Sequence, residues 1–147
     1  MIRLLILLAA LLPGLVIAAE AKLPEDPRTL VEMPLLQQAL MRQDMVEHLS
    51  ALNNVLGFLA AGKLKEAAAI AEKELGVSSM GKHAAATGGQ GPGRFMPEAM
   101  RGIGLGMHQA ASEFAEVAKK GNKAAAYRAL EPVTAACAAC HSGFRIR

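Results

Sequence analysis

Two thiols and an imidazole stand within five residues near the end of this chain, in Cys137-Ala138-Ala139-Cys140-His141. On a helix Cys137 and His141 lie one turn apart, and Cys140 falls between them on the same face, so all three can address one side of a flat group. Thiols at this spacing can add to the two vinyl groups of a haem, and the histidine that follows can ligate its iron. The pattern reads as a c-type haem attachment.

Three other chemistries use the same residue types. A thiol–disulfide oxidoreductase also carries Cys-x-x-Cys, but at a helix start that follows a strand. These cysteines belong instead to the end of the last helix. A structural disulfide suits an oxidising compartment, yet joining two cysteines within one helical turn is an odd use of it. Zinc wants a further ligand of the right kind, and His48, His83 and His108 are scattered without a zinc-like spacing.

The elements that must position these residues read as helices. Pro34 suits a first helical turn. From there Met41, Met45, Leu49, Leu52, Leu56 and Leu59 form one apolar stripe, ending near Ala61-Gly62. A second helix runs from Lys63 to Leu75, with Gly76 as its stop. The stretch from Gly76 to Gly93 has no periodicity and is expected to be a functional or mobile loop. A third helix begins around Pro97, with Met96, Met100, Ile103, Met107, Ala110, Phe114 and Val117 as its stripe, and stops at Lys119-Lys120-Gly121. The fourth starts near Asn122-Lys123 and turns Leu130, Val133, Cys137, Cys140 and Phe144 to one side. Pro132 should bend it or shift its start. Residues 21–33, with Pro24 and Pro27, form an extended lead-in, and no alternating strand pattern is visible. The expectation is an all-α, antiparallel four-helix bundle with the haem on the C-terminal helix.

The amino end has a separate logic. Arg3, an apolar run from Leu4 to Ile17 and small residues at Ala18 and Ala19 are the parts of a secretory signal peptide. Pro13-Gly14 interrupts the run, and a span needs ~20 apolar residues, so a retained anchor is the lesser reading. Residues 1–19 are expected to be removed, with cleavage near 19–21, leaving 20–147 as one domain in the periplasm. The formal net charge is +3. Removal of the leader takes only Arg3 with it, leaving about +2, too little to argue for nucleic acid. No later segment is long and apolar enough to cross a membrane.

There is no Trp, one Tyr and four Phe. Aromatic side chains normally supply much of a core's buried area, so these helices must pack closely through alanine or around a large flat group from elsewhere.

The tail, Cys137-Ala138-Ala139-Cys140-His141-Ser142-Gly143-Phe144-Arg145, resembles the C-terminal signature of the cytochrome c-prime family, the class II c-type cytochromes. That family builds four-helix bundles and carries its haem motif on the last helix. Phe144 and Arg145 match its aromatic–basic ending, and by analogy Arg145 lies beside the haem-ligating imidazole. Pro132 ahead of the cysteines resembles the low-spin, Met/His-ligated branch. The resemblance covers most of the chain as helix order, while its specific motif is only the tail.

What the resemblance implies is one covalent haem c on Cys137 and Cys140, with His141 on the iron. Relatives either leave the opposite iron position empty and bind nitric oxide or carbon monoxide, or fill it with a first-helix methionine and carry electrons. Counting back from Gly62, Met45 falls close to the low-spin ligand position. Met41, His48 or a vacant site are the alternatives, and methionines at helical spacing also simply fill core. Arg42 neighbours the position of a basic residue that relatives hold near the haem, where a propionate would suit it; an ordinary solvated arginine is the other reading. Gly102 and Gly106 share a helix face, which suggests close approach of another helix or of the haem plane. The function expected is a periplasmic monohaem electron carrier for redox protein partners and not an enzyme, with a gas-binding five-coordinate protein as the alternative. Relatives often pair through their first two helices, so a homodimer is one state the resemblance allows, though the sequence does not show which outer faces would pair.

Overall fold

The computed structural model describes residues 24–147; the signal peptide expected at 1–19 lies outside the described residues. Helix α1 (Leu35–Ala60) begins directly after Pro34, which stands just ahead of the first turn with φ −58° and ψ 151°. It ends where Gly62 adopts φ +73° and the amide of Lys63 donates back to Phe58 O at 2.8 Å, a glycine-dependent helix stop. Helix α2 (Leu64–Glu74) follows at once. A one-turn helix α3 (Ala84–Thr87) lies between two short 3-10 turns, Val77–Ser79 and Pro92–Phe95. Helix α4 (Glu98–Lys119) and helix α5 (Lys123–Gly143) complete the bundle.

The start of α5 is fixed by Asn122, whose side chain accepts from the Ala125 amide at 2.9 Å, satisfying one of the donors a helix start leaves open. Pro132 neither ends α5 nor shifts its start: the helix runs continuously across it. Proline there removes the bond to the carbonyl one turn back. Because Pro132 is exposed, water can take up that carbonyl.

The four long helices form the all-α bundle. Its main core gathers Val55 and Leu59 from α1, Ala67, Ala68 and Ala71 from α2, Ala111, Phe114, Ala115 and Ala118 from α4, and Ala126, Leu130 and Val133 from α5. Eight of its fifteen buried members are alanine, so the helices close on one another through small side chains around the single ring of Phe114. Helix α1 packs mainly on α2, α2 on α4 and α4 on α5, while α1 and α5 barely meet.

That arrangement corrects the stripe expected on α1. Leu49 is 69 % exposed and Leu56 44 %, whereas Ala51 and Val55 are buried. A repeat of alternating three and four residues drifts relative to a 3.6-residue helix, and the buried face of α1 is the one turned to α2. On α4, Gly102 and Gly106 are exposed, and a Cβ added at either would meet nothing within 4 Å. No other helix approaches these two glycines closely.

The two ends of the described chain pair as a short parallel ladder. Strand β1 (Thr29–Val31) lies beside β2 (Phe144–Ile146), with Leu30 opposite Arg145. Three residues are too few to show alternation, so only the extended character of the lead-in was legible. The stretch between α2 and α4 is a strap rather than a free loop. Lys82 bonds Asp44 at 2.7 Å and Glu47 at 2.6 Å, His83 Nε2 meets Asp44 Oδ1 at 2.8 Å, and Gln37 donates to Gln90 O at 2.9 Å.

Phe114 supplies the largest fully buried side chain. Phe114→Ala is expected to lower the unfolding free energy by about 3–5 kcal/mol, read as a shifted urea midpoint, and a loss below about 1 kcal/mol would contradict this account of the core.

Candidate haem-attachment site

The last turns of α5 leave the alanine core and reach a second apolar cluster. Val133 is buried in the main core, and Cys137, one turn on, packs against the same group of residues. Cys140 instead packs against a cluster built from Val31, Met33, Met41 and Met100, which also touches Met45, Phe95, Met96, Phe144 and Ile146. The two thiols therefore bridge a rigid, alanine-lined core and a soft, methionine-lined one. Both are free and half-buried. Burial pushes both thiols above their ordinary pKa, and the neighbouring Cys137 adds to the shift at Cys140. His141 stands exposed at the end of the helix.

Of the residues singled out from sequence, Met41 and Met45 on α1 and Cys140 and Phe144 from the tail come together in this cluster. Met41 is buried and Met45 half-buried. His48 is brought elsewhere. Its ring stands edge-on to that of His108, centroids 5.9 Å apart and planes at 86°, and His108 Nδ1 donates to Leu75 O at 2.7 Å. Arg42 is exposed and donates to Gln38 Oε1 at 3.2 Å. Gln38 in turn donates to Met33 O at 2.8 Å.

Arg145 carries a feature that sequence reasoning did not reach. Its Nε is buried without a hydrogen-bond partner. Asp26 Oδ2 lies 3.4 Å away, an ionic contact without hydrogen-bond geometry. Asp26 is committed to Arg28, which holds it at 2.7 Å and, through side-chain and backbone hydrogen bonds, keeps its carboxyl well below the usual carboxylate range. An orphaned buried N–H is uncommon in folded proteins, and a further carboxylate near Arg145 would satisfy it.

The residues fit a haem. Two thiols and an imidazole share one helix face, apolar and thioether side chains lie beside them, and an unsatisfied guanidinium N–H lies in the strand that follows. Among the described residues no three of His, Cys, Asp and Glu converge as a cage for a bare metal ion. Methionine and phenylalanine side chains pack beside Cys140.

A family model described as Cytochrome C' matches residues 97–145, which span α4, α5 and the haem motif. Over these residues the chain is similar to the cytochrome c-prime family. No curated protein and no solved structure matches the chain. That family consists of haem c proteins and is typically periplasmic. No helix among the described residues is long and apolar enough to cross a membrane.

His48 offers a test of the packing beside the site. Burial, then the charge of His108, holds its pKa below the usual 6.5. The unfolded chain thus binds more protons than the folded one between the folded value and 6.5, so stability rises with pH across that window and falls on acidification through it. Urea unfolding at stepped pH should show His48→Gln losing less stability on acidification than the parent; equal losses would contradict the burial assigned to His48.

Proposed function

We propose that this protein is a periplasmic monohaem electron carrier, with Cys137 and Cys140 holding the haem as thioethers, His141 on one side of the iron and Met45 on the other. The observation that carries the reading is the meeting of Cys140 with Met45 and Met41 in one apolar cluster, from two helices that otherwise barely touch. When bound, the haem supplies a one-electron iron couple; the protein sets its potential through ligand identity, burial and hydrogen bonds.

Each residue then has a physical task. Cys137, seated on the alanine core, and Cys140, on the methionine cluster, fix the porphyrin at two points of one helix face. Met45 would offer a neutral thioether, which would favour the reduced state of a bound haem. Met33, Met41, Met96 and Met100 exclude water around it. The unsatisfied Nε of Arg145 and the exposed guanidinium of Arg42 are suited to haem propionates. Were His141 and Met45 both to ligate the iron, no open position would remain there for a substrate.

The reading is tested on the full chain exported together with a haem-ligation system. The parent should gain the mass of one haem and show a low-spin spectrum in both oxidation states. Met45→Ala should turn high-spin and bind carbon monoxide quickly when reduced, while Met41→Ala stays low-spin. A high-spin, five-coordinate parent would favour the gas-binding alternative instead, and a switch in Met41→Ala alone would move the ligand one turn back.

Pairing of two copies through α1 belongs to the same proposal. Val46 and Leu49 on its outer face are 70 % and 69 % exposed, and apolar side chains in such a row favour association. Val46→Glu with Leu49→Glu should convert a sedimenting dimer into monomers without altering the spectrum. A parent that sediments as a monomer at micromolar concentration removes this part of the proposal.

A further inference from the structure

The cations of this chain are sorted by type along the bundle. Of the seven described lysines, five (Lys63, Lys65, Lys119, Lys120 and Lys123) lie on or beside the two turns that join α1 to α2 and α4 to α5. Most arginines border the cysteine end instead: Arg42 follows Met41, Arg94 precedes Phe95, Arg101 follows Met100, and Arg145 and Arg147 flank Ile146, with Arg128 beside Tyr127 as the exception. The two lysine-bearing turns adjoin, because Lys123 Nζ reaches Ala60 O at 3.3 Å. Gly62, Lys65, Lys119 and Gly121 also line one shallow cavity there. Glu66, Glu72 and Glu116 offset part of this charge: Glu116 is held by Lys119 at 2.6 Å, and Glu72 attracts Lys119 through space.

Helix dipoles account for part of the pattern and not the rest. Lys119 and Lys120 stand at the end of α4, where a cation is favourable. Lys63, Lys65 and Lys123 stand at the starts of α2 and α5, where the dipole opposes one. Among the described residues this end consists of four helix ends and two short turns. Tyr127, the chain's one tyrosine, is 43 % exposed one turn along α5. Aromatic rings of this kind favour the headgroup level of a bilayer. Lys123 and Cys140 are separated by roughly 25 Å of helix at 1.5 Å per residue.

We propose that this lysine-bearing end docks on an anionic lipid bilayer, holding the cysteine end outward. A bilayer presents a plane of negative charge, which scattered flexible lysines can meet without a shaped partner; each lysine near such a surface strengthens partitioning roughly fivefold. The inference rests on charge placement and is independent of the haem ligand.

The test is cosedimentation of the haem-loaded full chain with phosphatidylcholine vesicles, with and without phosphatidylglycerol, at low and high salt. Protein is quantified by gel band, so an unexpected haem spectrum does not affect the result. Lys63→Gln/Lys65→Gln/Lys120→Gln is compared with Arg94→Gln/Arg101→Gln/Arg147→Gln, which removes the same charge at the other end. The parent should bind only phosphatidylglycerol-containing vesicles and be released by salt. The lysine variant should bind at least about tenfold more weakly, and the arginine variant like the parent. No binding, equal binding to neutral vesicles, or equal weakening of both variants would overturn the proposal.

Discussion

Close packing of α2, α4 and α5 through alanine around Phe114 is the contact that the candidate site depends on. Alanine offers little side-chain freedom and lets helices approach closely, so these three elements share one close-packed core. Val133 and Cys137 continue the same seam along α5. The position of the Cys-x-x-Cys turn is thereby inherited from a core several turns away. Helix α1 joins this body mainly through α2, so its upper half is free to stand off from α5. Methionines fill the resulting gap, and their unbranched, polarizable side chains suit an irregular space.

Local chemistry was legible in sequence, and relative placement was less so. The helix boundaries fell within a residue or two of Pro34, Gly62, Asn122 and Gly121, because caps and positive-φ glycines are properties of a few adjacent residues. The Cys137–His141 motif is equally local. The buried face of α1 was misread at Leu49 and Leu56, since the stripe does not say which neighbouring helix it meets. Met41 and Met45 could not be separated, and the fold explains why: both enter the cluster beside Cys140. The ladder of β1 with β2 and the orphaned Nε of Arg145 are long-range features with no local signature, as is the strap's attachment to Asp44 and Glu47.

That strap constrains the site from the other side. Lys82 and His83 grip α1 at Asp44 and Glu47, and Gln90 accepts from Gln37 earlier on the same helix. Both contacts fall on the stretch of α1 that carries Met41 and Met45. A helix that barely touches α5 would otherwise be held only from α2. Exposed ion pairs contribute little singly, but a cation shared by two carboxylates, joined to a histidine on one of them, limits how far this stretch can shift.

The tail closes the arrangement at its outer edge. Pairing of Phe144–Ile146 with Thr29–Val31 gives the chain beyond His141 a fixed course, and so decides where Phe144 and Arg145 stand. Phe144 and Ile146 complete the methionine cluster, together with Val31 from the opposite strand. Arg145, alternating to another side of the strand, is left with a buried donor that Asp26 does not satisfy. A buried unsatisfied donor is costly, and polypeptide alone could remove that cost by turning the side chain to solvent. Its retention in the strand whose Phe144 and Ile146 join the methionine cluster leaves a place for a carboxylate supplied from outside the chain.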